Sequence, residues 1–477
     1  MLKHYSQILL IVFILSGCSK KDSINAAPIA NAGIDQTVIT TSAVTLDCSL
    51  SSDANGDLLT YRWSMTSKPD ESTAILVNSA SANPTFVADI DGVYAAQLIV
   101  DDKTVNSTAD NVNIYSFSTS SVKNIILLIG DGMGAEHIKA ARWQDVGVDG
   151  ILNMDSLSVN GWIRTGSADN LITDSAAAST AIATGTKTNN GVIGLDPSLN
   201  ELSTILEEAK QQGRSVGLIT TVQISHATPA AFASHVEDRS QMTEIALQLL
   251  NNDVDVLLGG GEDEFLPISS YGCFSEPGER NDGRNLIDEA IGKGYTYVCD
   301  SNSLEAIDPT FTNKLIGLFA DEGMVRPFSP SLDVMAQKAI DILSQNPNGF
   351  FLVIEGGQID WASHSNDAAN AINDTVSFDK VVKVASEFTA MNGDTLIMVT
   401  ADHETGGMSV SLNPTGYSSE DGPFTMPDGT KFYINWSTTG HTYSNVPIMS
   451  SGYNSNLFSN IHENTFIYEV MKNAFDK

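Results

Sequence analysis

Seven acidic and imidazole side chains stand directly after apolar runs or within a few positions of them. Asp131 follows NIILLIG. GFFLVI leads into Glu355, then Asp360 and His364 in EGGQIDWASH. DTLIMVTA leads into Asp402 and His403, and STTGHT near the C-terminus supplies His441. One Asp after a strand is ordinarily a cap or turn residue, but as a set these side chains read as metal ligands. Asp360 and His364 lie four residues apart, so on a helix both face the same way. Asp402 and His403 are adjacent and reach one ion only where the backbone turns sharply, as at a strand end. Carboxylate with imidazole suits zinc, whereas an all-oxygen set completed by water suits magnesium. The chain holds eight histidines, and three of them fall in these positions.

A hydroxyl in a special setting lies in the stretch TDSAAASTAIATG, residues 173–185. Asp or Ser before an alanine run is an N-cap signal, so the stretch reads as a capped packing helix. The other reading is a nucleophile at Ser175. A Ser at a helix N-terminus sits at the positive end of the dipole, and small neighbours let a substrate come close. The stretch alone leaves both readings open.

Such residues need a frame that gathers distant segments. NIILLIG, SVGLIT, VDVLLGG, GFFLVIEGG and DTLIMVTADHE are near-continuous apolar runs, and helical stretches such as LSTILEEAKQQG and MTEIALQLLNN lie between several of them. The alternation predicts an α/β domain whose central sheet is mostly parallel and flanked by helices. Ligands in such folds bind beyond the carboxyl ends of the strands, where these acidic residues stand. From Pro28 to about Ser116 the pattern differs. VTLDC, LTYRWSM, PTFVADI and VYAAQLIVDD each suit a strand, and SSDANGD marks a turn. A small antiparallel, immunoglobulin-like β-sandwich over 28–116 is expected. In its turn, Asp53, Asn55 and Asp57 are open to calcium or to plain hydration.

Residues 19–27 read as a tether and residues 1–18 as a signal peptide, because Lys3 and His4 precede a short apolar run, ILLIVFIL. The ending LSGC is similar to a bacterial lipobox, which makes Cys18 the expected lipidation site. The chain would then be exported and anchored to the outer membrane, cell surface or periplasmic face. With Cys18 so used, Cys273 and Cys299 are candidates for a disulfide in an oxidising compartment, and Cys48 for a small core residue. Asp+Glu number 58 against 25 Lys+Arg, a formal charge of -33. That balance repels a phosphate backbone, which argues against nucleic-acid binding except as a possible substrate. An anionic substrate would need local positive charge, and bound metals would supply it.

In this order, NIILLIGDGMG, TDSAAASTAIATGTKT, HATPAAFASHVEDR, EGGQIDWASH, TADHETGG and TTGHT resemble an alkaline phosphatase, from about Asn124 to the C-terminus. NAGIDQTV, SSDANGDLLTYRWSM and DGVYAAQLIVDD resemble a polycystic-kidney-disease-type (PKD) immunoglobulin-like module. The first resemblance implies a catalytic domain over 124–477 that hydrolyses small phosphate monoesters through a phosphoserine, with two zinc ions and one magnesium. By it, Ser175 matches the nucleophile and Asp174 its neighbour. Asp360, His364 and His441 match one zinc site, and Asp131, Asp402 and His403 the other. Asp131 also reaches the magnesium, with Thr228 and Glu355, and Arg239 matches the arginine that clamps phosphate. Residues 262–330 and 412–440 resemble the family's variable insertions, which cap or dimerise it, so a homodimer is implied.

Two positions depart from the best-known bacterial form: His226 stands where it has Asp, and Trp361 where it has Lys. Both border the magnesium site and the bound phosphate. His137, His235 and His462 read as structural or surface histidines. Three rival functions share parts of this pattern. They are a phosphodiesterase or a sulfatase on the same two-metal frame, and a non-catalytic surface glycan-binding lipoprotein.

Overall fold

The computed structural model describes residues 25–117 and 122–475. The signal peptide, the Cys18 lipidation site and most of the tether lie outside the described residues. The chain divides into two compact units, Met1–Ser116 and Phe117–Lys477.

In the first unit a four-stranded sheet has the order Gln36–Ile39, Asp110–Phe117, Gly92–Asp101, Thr60–Ser67. Ala43–Thr45 pairs separately with Thr85–Val87. Gly92–Asp101 alternates buried with half-buried residues, the period-two pattern of a strand with one face on a core. Trp63, Tyr94, Leu98, Val112 and Ile114 fill that core. Cys48 is buried and unbonded, with its thiol 3.2 Å from the Ala82 carbonyl oxygen. In the turn, the Asn55 and Asp57 amides donate to Asp53 Oδ1 at 2.7 and 3.1 Å, so the segment closes on its own side chain. Asp53, Asp57 and Asp102 each bring one oxygen within 4.8 Å of the others.

The second unit is built on a ten-stranded sheet. Its order is Thr296–Val298, Leu315–Leu318, Val256–Gly260, Ser215–Gln223, Phe350–Glu355, Asn124–Ile129, Thr395–Thr400, Val446–Gly452, Val159–Arg164, Ile461–Glu463. Every neighbouring pair is parallel except the two that Val446–Gly452 makes, so one strand runs against nine. Asn124–Ile129, Phe350–Glu355 and Thr395–Thr400 are buried at every residue, as their unbroken apolar sequences require of strands covered on both faces. Glu355 lies opposite Ile129, and Ile129 opposite Thr400. Three adjacent strands therefore end level, and the acidic residues beyond them emerge together.

The segment 262–330, expected to be an insertion, contributes two neighbouring strands at one edge of the sheet, Thr296–Val298 and Leu315–Leu318, with the helices Leu286–Gly292 and Ser301–Glu305. Cys273 and Cys299 form a disulfide, with Cα atoms 6.4 Å apart. The segment 412–440 folds with Ser409–Ser411 into a small antiparallel sheet, Lys431–Asn435 between Ser409–Ser411 and Glu420–Thr425. No helix of the described residues is long and apolar enough to cross a membrane.

Candidate active site

Two sharp turns gather the first set of donors. After Asn124–Ile129 the chain bends at Gly132, whose φ is +71°. A Cβ there would lie 2.8 Å from Thr405 Oγ1 and 2.9 Å from Asp360 Oδ1, so only glycine fits both the conformation and the space. The Gly132 amide donates to Asp402 Oδ1 at 3.1 Å. After Thr395–Thr400 the chain turns back on itself, with the His403 amide donating to the Asp402 carboxylate at 2.9 Å. Asp131, Asp402 and His403, all buried, thus bring one donor atom each within 4.8 Å of one another.

The second set grows from the helix Gln358–His364, where the four-residue spacing places Asp360 and His364 side by side. His364 Nε2 lies 3.3 Å from Asp360 Oδ2 and 3.1 Å from His441 Nε2. Backbone carbonyls orient both rings: His364 Nδ1 donates to Thr439 O at 2.6 Å and His441 Nδ1 to Thr173 O at 2.8 Å. Each imidazole therefore turns its Nε2 toward the other and toward Asp360. Without a metal a proton joins them, since the hydrogen bond to Asp360 raises His364 to about 8; a divalent cation would take that proton's place. A third grouping, Asp131, His226 and Glu355, is equally tight.

The electrostatics point the same way. Burial, reinforced by Asp402, Asp360 and Glu355, pushes Asp131 well above the ordinary carboxylate range. Burial raises Glu355 to about 7, against the opposing hydroxyls of Thr220 and Thr228. Burial lowers His403 to about 4 and His226 to about 3, the latter helped by Arg239, so both rings are neutral. For Asp360, burial is outweighed by His364 and the other imidazoles, and its carboxyl stays below the usual range. Both oxygens of Asp131 and Oδ2 of Asp402 are buried without a hydrogen-bond partner. Neutral imidazoles, clustered carboxylates and orphaned oxygens are the donor chemistry of divalent cations, and the residues present fit them.

Ser175 opens the helix Ser175–Thr184, every residue of which is buried. Asp174 is its N-cap, with Oδ1 accepting from the Ala177 amide at 3.0 Å. Ser175 Oγ stands 3.2 Å from His403 Nε2, against the first donor set. TDSAAAST is thus a capped packing helix that carries at its tip a hydroxyl facing the first donor set. The other Asp174 oxygen accepts from Arg239 Nη1 at 3.0 Å and from the Gly191 amide at 3.1 Å. Arg239 also places Nη2 3.3 Å from His226 Nε2. Trp361 is half-buried, edge-on to His226 with ring centroids 6.0 Å apart. Thr228 accepts from the Ser179 hydroxyl at 3.3 Å beside Glu355.

Three supporting residues carry no signal in the sequence pattern. Thr220 donates to Glu355 Oε2 at 2.5 Å. Thr405 donates to Asp360 and also meets His403. His137 accepts from the Gly134 amide at 3.2 Å and bonds Ser363 Oγ at 2.9 Å, while Ser363 donates to the Ile359 carbonyl, tying down the helix that carries Asp360. A threonine in a strand has no diagnostic spacing, so the first two were not legible. His235 pairs with Glu207 at 3.0 Å, and His462 is buried, stacked on Phe466.

Residues 122–427 match the family model described as alkaline phosphatase, and residues 32–115 match a PKD domain model. Alkaline phosphatase 4 of Bacillus subtilis is 40% identical over 311 residues, which span 62% of this chain and 64% of that one. Alkaline phosphatase of Escherichia coli K12 is 37% identical over 343 residues, 60% of this chain and 71% of that one. The matched region thus spans a little under two thirds of the Bacillus relative's length. The solved alkaline phosphatase from the Antarctic bacterium TAB5 is 31% identical, with a TM-score of 0.65, covering 76% of this chain and all of that one. A mutant of the TAB5 enzyme was solved with magnesium bound in its M3 site. With the sheet, the donor sets and the matched span in agreement, the chain belongs to the alkaline phosphatase family.

Proposed function

We propose that the chain hydrolyses phosphate monoesters to an alcohol and inorganic phosphate through a phosphoserine at Ser175. The observation that carries the reading is the Ser175 hydroxyl set 3.2 Å from His403 Nε2, at the edge of the Asp131, Asp402 and His403 donors. One zinc would be held by those three residues and a second by Asp360, His364 and His441. Magnesium would lie with Asp131, Thr228 and Glu355, beside His226; that a His-to-Asp mutant of the TAB5 enzyme takes up magnesium supports the choice of ion. When bound, the cations supply positive charge to the attacking and departing oxygens.

The chain's own residues do the rest. Ser175 Oγ forms the new bond to phosphorus as the ester P–O bond breaks, and the departing alkoxide takes up the proton that the Ser175 hydroxyl gives up. Water then attacks the phosphorus of the phosphoserine as the Oγ–P bond breaks; one of its protons passes to Ser175 Oγ and the other leaves with the phosphate. Arg239 holds two phosphoryl oxygens with its planar fork, oriented by Asp174. Three divalent ions outweigh the carboxylates of Asp131, Glu355, Asp360 and Asp402, while the charge of Arg239 is balanced by Asp174. A dianion is therefore attracted locally despite the acidic surface.

The arginine and the third ligand set favour a monoesterase over a diesterase, and the complete donor sets argue against a purely glycan-binding protein. The test is turnover of p-nitrophenyl phosphate and of its bis-ester, with and without chelator. Monoester turnover that chelation abolishes, and zinc with magnesium restores, is expected; activity that survives prolonged chelation rejects the mechanism. We also read the chain as exported and lipid-anchored through Cys18. It would act as a homodimer, with the PKD module as spacer or glycan contact. Cys18→Ser should release it from membranes.

A further inference from the structure

We propose that Thr405 is a positioning residue that locks the two candidate zinc sets to each other, fixing the tautomer of His403 and the orientation of Asp360 through one hydroxyl. The inference rests on the metal-dependent reading above and goes beyond it by assigning a residue outside the ligand sets.

Thr405 is fully buried in the two-residue strand Glu404–Thr405, which pairs antiparallel with His441–Thr442 so that Thr405 lies opposite His441. Its Oγ1 is 2.5 Å from Asp360 Oδ1 and 3.2 Å from His403 Nδ1. Thr405 therefore touches a member of each set and neighbours a third ligand across the strand pair. A hydroxyl has one proton, and an ionised carboxylate only accepts, so the proton points at Asp360. The lone pairs then face His403, and Nδ1 must supply the hydrogen. This leaves Nε2 bare, directed at Ser175 Oγ at 3.2 Å, Asp402 Oδ2 at 3.2 Å and Asp131 Oδ1 at 3.7 Å. A bare Nε2 is the form a metal requires.

The relay runs one way, from ring N–H to hydroxyl to carboxylate, with the charge on Asp360 setting its direction. The Thr405 amide donates to the Gly132 carbonyl at 3.0 Å, and any side chain at Gly132 would collide with the hydroxyl and with Asp360, so glycine there leaves the space this contact occupies. Removing the hydroxyl leaves a buried imidazole N–H without an acceptor and a carboxylate without its anchor, which frees one ligand in each set at the same time.

The test compares full-length wild type, Thr405→Val and Thr405→Ser, stripped of metal and titrated with zinc against a competing chelator. The melting temperature of each stripped protein is recorded alongside. Loss of an outer partner of a metal ligand typically weakens binding about 10–100-fold. That loss is expected for both zinc ions in Thr405→Val, with near-complete recovery in Thr405→Ser. A purely structural threonine would lower the stripped protein's melting temperature and leave zinc affinity alone. Wild-type affinity in Thr405→Val, weakening of only one ion, or no recovery with serine overturns the proposal. A second measurement needs no variant: histidine 15N spectra of the stripped wild type should show His403 protonated at Nδ1, and the Nε2–H tautomer overturns it. A wild type that takes up no zinc at all defeats the metal-dependent reading itself, and this inference with it.

Discussion

Asp174 does two separable things, and two substitutions can divide them. One carboxylate oxygen caps the nucleophile helix through the Ala177 amide at 3.0 Å; the other holds Arg239 at 3.0 Å. An N-cap Asp replaced by Ala costs about 1 kcal/mol, whereas Asn caps as well as Asp. The Arg239–Asp174 pair is partly exposed, at 27% and 19%, so its worth is at most about 1 kcal/mol. Asp174→Ala should therefore lose about 2 kcal/mol of stability, a fall of a few degrees in a unit of this size. Asp174→Asn keeps the cap and loses only the ion pair, so it should lose at most about 1 kcal/mol, about half as much. Both variants release Arg239 from its fixed pose, and about 1 kcal/mol of lost orientation corresponds to roughly 5-fold weaker grip on phosphate. Thermal unfolding of the chelated protein reads the cap, and product inhibition by inorganic phosphate reads the clamp. Equal destabilisation of the two variants would refute the capping argument. Unchanged phosphate inhibition in both would refute the claim that Asp174 orients Arg239.

Arg239→Lys keeps the charge but loses the two-pronged geometry, so phosphate affinity should fall by about 1–2 kcal/mol, roughly 5–30-fold, as read by competitive inhibition. Ser175→Ala should still bind phosphate yet form no acid-stable phosphoenzyme with labelled substrate; label on another residue would reject the nucleophile. In the His235–Glu207 pair, burial disfavours the imidazolium, but the Glu207 hydrogen bond and the Gly194 carbonyl outweigh it, and the His235 pKa is raised. Its stabilisation is complete below the unfolded value near 6.5 and is lost as pH rises through the higher folded value. The melting temperature should decline across that range in wild type and less so in His235→Asn, by about 1 kcal/mol equivalent.

The frame was legible where burial is complete. Asn124–Ile129, Phe350–Glu355 and Thr395–Thr400 read as strands because a strand covered on both faces has no polar positions to interrupt its run. Val446–Gly452, with the sequence VPIMSSG, carried no such signal: it holds a proline and two serines, and its place in the sheet comes from pairing with Thr395–Thr400 and Val159–Arg164. Two strands at one edge of the sheet were hidden for a different reason. Thr296–Val298 and Leu315–Leu318 are three and four residues long, too short to show a period, and only their neighbours in the sheet make them strands.

The site divides along the same line. Ionisable residues at strand ends stand out because burying charge is costly and demands a purpose, so Asp131, Glu355 and Asp402 are conspicuous from residue type and position alone. What fixes them is not. His364 and His441 lie 77 positions apart, and carbonyls at Thr439 and Thr173 aim their Nε2 atoms at one point. Thr220 and Thr405 support carboxylates with hydroxyls that look, in sequence, like ordinary strand threonines. A ligand is conspicuous because its charge needs explaining, whereas the group that orients it is a neutral donor with many other uses. The chemistry is thus visible in residue types, and its precision is visible only in hydrogen-bond direction.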